Sequence, residues 1–225
     1  MPEPAPIRVK VWDGWVRLVH WGLIGLIGLS WWSAETGRMD LHMTSGYAIL
    51  TLLLFRLGWG VVGSDTARFG RFLRSPLAAF GHLRHLFRRE PDREIGHNAA
   101  GGWMVLALLA ALLTQAVTGL FADDQIFTSG PLARSVPPSV SDWATSIHIR
   151  AFNVILALAA LHVLAVGLYF LAKGQNLVRP MVTGWKWLPA GSAAPRIAPF
   201  WLGLLLLALA ALPAWYFLRS GGPAF

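Results

Sequence analysis

The chain has 225 residues, of which 55% are hydrophobic and only 13% charged, with no cysteine and a mean hydropathy of +0.52. A soluble domain carries charge on about a quarter of its residues, so this composition belongs to a chain that lives in lipid. Without cysteine the chain itself has no disulfide, no thiolate zinc site, no iron–sulfur ligand and no covalent c-type haem, and any redox cofactor must be held without sulfur. The net charge of +8 lies between apolar runs rather than on an aromatic-studded soluble face. It reads as membrane topology and not as nucleic-acid binding.

A helix that crosses the bilayer needs roughly 20 mostly apolar residues. Five runs qualify in chain order, at 15–33, 42–62, 99–121, 147–172 and 200–218. The second is the most polar at its ends, opening on His42 and carrying Arg56. The first has no small-residue cleavage site and continues into Trp31 and Trp32, so it is expected to stay in the mature protein. Between the second and third runs, the Arg, His and Leu pattern around 78–89 predicts an amphipathic helix lying on the membrane surface.

Basic residues set the expected orientation. Thirteen fall on one side: Arg8 and Lys10 before the first run, seven arginines from Arg68 to Arg93, and Lys173, Arg179, Lys186 and Arg196 before the fifth. Only Arg38, Arg134 and Arg219 fall on the other. The N-terminus is therefore expected in the cytoplasm and the C-terminus outside, in a multi-pass protein of the bacterial inner membrane. Tryptophans near nearly every run end fit rings that favour the headgroup level.

Ionisable residues inside spans are costly and mark function. His20, His42, His97, His148 and His162 lie in or at the ends of the runs. Singly, each has an ordinary explanation, as a snorkelling ring or one bonded to a backbone carbonyl. Their depths say more. His148 and His162 are 14 residues apart on one helix, roughly 40° short of four full turns, with a rise of about 21 Å. Both imidazoles thus share a face at two depths. Topology matches His162 with His20 near the inner surface and His148 with His42 near the outer. Two imidazoles on opposite faces suit a six-coordinate b haem between bundle helices. Zinc fits less well, since its sites have three or four protein ligands. Gly22, Gly25, Gly28, Ser45 and Gly46 beside the ligands would let a macrocycle approach the backbone, although helix-packing glycines look the same.

Several strings carry a resemblance: Val11-Trp12-Asp13, Arg17-Leu18-Val19-His20-Trp21, Leu41-His42 to Gly46-Tyr47, Phe55 to Gly60, Gly96-His97-Asn98, the His148 and His162 pair, and Met181 to Lys186. As a set, over about residues 8–186, they resemble the bacterial di-haem cytochrome b family, which includes prokaryotic cytochrome b561 and the cytochrome b subunits of nickel–iron hydrogenases. The resemblance implies an all-α membrane fold, a four-helix transmembrane bundle holding two b haems, with His20, His42, His148 and His162 as the axial iron ligands. Residues 1–186 would form that di-haem domain. Residues 187–225 depart from it, adding a linker and a fifth transmembrane helix without histidine.

Four further residues are candidates for cofactor binding. His97 opens the third run beside Asn98, where it would bond a quinone carbonyl or haem propionate, or simply follow a helix cap. Arg17, Arg56 and Arg150 would pair with propionates or snorkel. His82 and His85 read as a solvated face. No catalytic constellation is present. The leading reading is an electron carrier between a periplasmic redox protein, a hydrogenase-like iron–sulfur subunit or a c-type cytochrome, and the quinone pool. Alternatives are a stand-alone superoxide or quinol oxidoreductase, a non-catalytic membrane anchor, and a metal or proton transporter, which the scarcity of carboxylates inside the spans disfavours.

Overall fold

The structure is a computed structural model that describes residues 5–84, 94–126 and 128–219. Its long helices are α1 (Gly14–Glu35), α2 (Met39–Val62), α5 (Ala99–Phe121), α6 (Pro138–Lys173) and α8 (Phe200–Arg219), joined by the short α3 (Phe69–Phe72), α4 (Pro76–Arg84) and α7 (Val178–Thr183). Two strands, β1 (Ile7–Lys10) and β2 (Trp185–Leu188), and a 3-10 turn at Ala133–Ser135 are the remaining elements among the described residues. Helices α2, α5, α6 and α8 are long and apolar enough to cross a membrane. The 22-residue α1 falls short of that measure; Arg17, His20 and its four tryptophans and four glycines dilute its leucines and isoleucines. The largest departure from the expected bounds is at α6, which begins at Pro138 instead of residue 147. Its 36 residues span about 54 Å at 1.5 Å per residue, well beyond a bilayer core of about 30 Å. Proline at the first helical position, where the missing N–H costs nothing, starts this extension.

Of the helix expected around 78–89, the described residues form α4 (Pro76–Arg84), in which Leu77 and Phe80 are exposed. The side chain of His82 and residues 85–93, including His85, lie outside the described residues.

Contacts group the chain into two compact units, and each long helix contributes a segment to both. The first comprises residues 1–18, 57–107 and 158–203. Its strands pair antiparallel, with Ile7 opposite Leu188 and Lys10 opposite Trp185. Alternation explains them: Val9 and Leu188 point into the unit and are buried, while their neighbours face out. Gly184 turns the chain into β2 at φ +86°, its carbonyl accepting the N–H groups of Val11 and Trp12 at 2.9 and 3.1 Å. A side chain there would be strained twice over, since its Cβ would also sit 2.8 Å from the Trp12 carbonyl oxygen.

Asp13 organises the start of α1. Its Oδ1 accepts the Val16 N–H at 2.8 Å, a helix N-cap, and its Oδ2 accepts the indole N–H of the fully buried Trp59 at 3.0 Å. Trp15 stacks on Phe200 at 4.9 Å between centroids, and Gly203 lies against the same indole with no room for a Cβ. Trp12, Trp15 and Trp59 are therefore packing residues, not headgroup anchors; Trp31, Trp32, Trp143 and Trp187 are exposed as an interfacial belt requires.

The segment leading into α8 is fastened by Ser64 and Asp65. Asp65 N–H donates to the Arg196 carbonyl, Arg196 N–H donates to Asp65 Oδ2, both at 3.0 Å, and Ala198 N–H donates to Ser64 Oγ at 3.0 Å. Asp65 also pairs with Arg68. The Arg196 amide, aided by the charges of Arg68, Arg71 and Arg196 and opposed by desolvation, holds the Asp65 carboxyl below its ordinary pKa. A lowered carboxyl pKa stabilises the fold above the unfolded-state value, and that contribution fades as pH falls through the folded one. The protection factor of the Arg196 amide, its exchange rate relative to an unstructured amide at the same pH, is thus expected to be high at neutral pH and to fall in acid. An equal fall in Asp65→Asn would contradict this.

The second unit comprises residues 19–56, 108–157 and 204–225. A three-residue link joins α1 to α2. Gly37 adopts the left-handed φ of +70°, with Arg38 N–H bonded to Ser33 O at 2.8 Å and Gly37 N–H to Ala34 O at 3.1 Å, the double bond of a Schellman cap. A tight hairpin of helices follows. Tyr47, Leu50, Ala214 and Phe217 form a buried cluster, with Leu113, Leu120 and Leu132 packed against it. The α8 segment in this unit is thus part of the core, not a separate appendage.

Candidate functional site

The hairpin puts Ser30 of α1 opposite His42 of α2. The His42 Nδ1 lies 2.9 Å from the Ser30 carbonyl oxygen and 3.1 Å from its Oγ. A carbonyl only accepts, so Nδ1 carries the proton and Nε2 keeps its lone pair. The second half of the site starts from the connection between α5 and α6. Asp123 N–H donates to Thr145 Oγ1 at 2.9 Å, Ser141 Oγ donates to Phe121 O at 2.8 Å, and Leu132 N–H donates to Leu120 O at 2.8 Å. These bonds fasten the extended start of α6 to the end of α5. His148 then comes beside Gln115, whose carbonyl accepts Nδ1–H at 2.9 Å. The same logic leaves the His148 Nε2 with a lone pair.

The two rings meet at 6.0 Å between centroids, at 87°. With metal–imidazole bonds of about 2 Å and about 1.1 Å from nitrogen to ring centre, two imidazoles on opposite sides of one metal have centroids about 6 Å apart. Each ring also spends its other nitrogen on a backbone carbonyl, the arrangement that fixes the tautomer of metal-bound histidines. A cavity of about 290 Å³ adjoins them, walled mostly by apolar residues such as Ile27, Met43, Leu112 and Phe152, with Ser30, Glu35 and Gln115 also in its lining. Apolar walls and two imidazole lone pairs fit a flat, apolar, metal-centred macrocycle.

Gly119 completes the site, and residue spacing alone did not single it out. A Cβ there would lie 2.8 Å from His148 Cε1 and 3.1 Å from Nδ1, so the imidazole occupies the space a side chain would need. Gln115 and Ser30 are likewise additions from the fold. The signal for Gln115 was the amide itself, a polar group in an otherwise apolar run with glycine one turn later. Among the glycines expected to admit a macrocycle, Gly46 lines the cavity with nothing within 4 Å of a would-be Cβ, whereas Gly22 packs on Leu52 at 3.1 Å.

The other candidates have their own surroundings. His20 is half-buried in the second unit, edge-on to Trp21 at 4.9 Å. His162 is half-buried on the α6 segment of the first unit. His97 sits between Trp12 and Phe72, at 4.7 and 4.8 Å. Beside it, Asn98 caps α5 through the Gly101 N–H at 2.7 Å and donates to the Tyr169 hydroxyl at 2.8 Å. Arg17 donates to the Val182 carbonyl at 2.8 Å, Arg56 is buried and Arg150 is exposed.

Long apolar helices carrying facing imidazoles define a class, the multi-pass membrane proteins of the b-cytochrome type. A family model described as prokaryotic cytochrome b561 matches residues 11–184, and the chain belongs to that family. No curated protein matches it. The family binds b-type haem and acts in membrane electron transfer.

Proposed function

We propose that the protein carries electrons across the bacterial inner membrane through two bis-histidine b haems, between a periplasmic redox protein and the quinone pool. The observation that carries this reading is the matched chemistry of His42 and His148, each with its Nδ1–H on a backbone carbonyl, which puts the lone pair on Nε2, the atom that would bind metal. Bound between them, a b haem supplies reversible one-electron chemistry at iron. The chain's residues hold the imidazoles in one tautomer, surround the ring with apolar side chains and exclude water.

His20 and His162 are the ligands of the inner site in this reading, supported by family membership and by the 14-residue spacing on α6. Helix α1 is then the fifth span, its polar residues accounted for by the ligand and by Arg17 on Val182. Arginine asymmetry supports a cytoplasmic N-terminus and a periplasmic C-terminus. His97, enclosed by aromatic rings, is a candidate for quinone contact, with Arg17, Arg56 and Arg150 as candidates for propionate pairing. The periplasmic partner is a hydrogenase-like iron–sulfur subunit or a c-type cytochrome. The absence of cysteine assigns any iron–sulfur link to that partner.

A haem assay on protein purified from haem-replete cells is expected to give about two b haems per chain, with two steps in a redox titration. Haem-free protein would overturn the proposal. Copurification from native membranes tests the partner.

A further inference from the structure

Helix α5 brings no imidazole to the outer pair, yet it makes the closest polar contacts to one of them. The Gln115 carbonyl accepts the His148 Nδ1–H at 2.9 Å, while the Gln115 side-chain nitrogen lies 3.2 Å from His148 Nε2. Its Oε1 is buried without a hydrogen-bond partner among the described residues. One residue thus addresses both nitrogens of the same ring.

The chemistry at each nitrogen follows from the backbone carbonyl. Because it only accepts, Nδ1 holds the proton, Nε2 holds a lone pair, and the carboxamide N–H donates to that lone pair. A lone pair serves one strong partner at a time. An iron atom and the Gln115 N–H are rival claimants for His148 Nε2.

We propose that Gln115 is a positioning residue with two opposed actions: its backbone carbonyl fixes the His148 tautomer and aim, and its side-chain carboxamide competes with iron for Nε2. This rests on the reading that His148 ligates a haem. The competition weakens the outer site. With Nε2 held by the carboxamide N–H, the imidazole would be less available to iron. Gly119, one turn further along the same face, acts only by leaving room for the ring. The two neighbours therefore have opposite predicted effects when substituted, which a general packing role for this face does not produce.

The test uses haem-loaded, full-length protein in detergent, with excess apomyoglobin as haem acceptor, and follows haem loss spectroscopically. The phase missing from His42→Ala identifies the outer site. In Gln115→Leu, which keeps the backbone carbonyl and removes the competitor, loss from that site is expected to slow about three- to tenfold, the effect of one ordinary hydrogen bond. In Gly119→Ala it is expected to accelerate, and the remaining phase is expected to stay unchanged in both. Gln115→Met repeats the measurement with a flexible apolar side chain should leucine pack poorly. Unchanged or faster outer-site loss in well-folded Gln115→Leu and Gln115→Met overturns the proposal. If instead His42→Ala and His148→Ala both keep the full haem content, it is the ligation reading that fails.

Discussion

Replacing His148 with alanine is expected to lower the haem content from about two per chain to about one, and His42→Ala is expected to remove the same haem. Alanine has no lone pair to give iron, and in the proposed reading one remaining imidazole would hold the haem less firmly than two. The shared loss is the informative part. The rings lie 6.0 Å apart, each with its Nδ1–H on a carbonyl from a neighbouring helix, so under the proposed shared ligation removing either would disable the same metal position. His20→Ala and His162→Ala are expected to remove the other haem. Two redox steps identify which haem is missing, and the double variant His42→Ala/His148→Ala should lose no more than either single one. Separate losses from the single variants, adding up in the double, would break the pairing.

The second large effect is on stability. Asp13→Ala is expected to cost about 2–4 kcal/mol, combining a lost N-cap with a buried indole N–H left without its acceptor. Asp13 is 3% exposed and Trp59 fully buried, so water does not readily replace the carboxylate. Asp13→Asn keeps an oxygen for the Val16 amide or the indole and is expected to recover part of the loss. Thermal unfolding in detergent measures both. A midpoint unchanged in Asp13→Ala would show that the clasp between the α1 start and Trp59 does not contribute to stability. Because Asp13 sits seven residues before His20, faster haem loss from the proposed His20 site than from the His42 site is a further expected consequence of its loss.

Much of the architecture was legible from local pattern. The third run, 99–121, matches α5 at both ends, since its glycines, alanines and leucines begin after the Asn98 cap and stop at the polar Asp123. The start of α6 was not legible, because Ser139, Ser141 and Asp142 are polar enough to look like loop. They are helical because Ser141 and Thr145 bond to the end of α5. The strand pair was missed for a similar reason. Four residues of alternation at 7–10 carry little weight until 185–188 pairs with them. At the site, the imidazoles were visible as costly polar groups in apolar runs. Ser30 and Gly119 were not, as a serine and a glycine in a membrane helix have many ordinary uses.

The sequence by itself determined the class of environment, the family and which imidazoles share a helix face, because hydropathy, composition and helical period are properties of one segment at a time. Tertiary structure decided how the site works. The acceptor for His148 Nδ1, the space left by Gly119 and the carboxamide at Nε2 all come from α5, and the α5–α6 connection brings that helix into register. The tautomer of an imidazole depends on which atom of another segment reaches it, and no periodicity within its own helix contains that information.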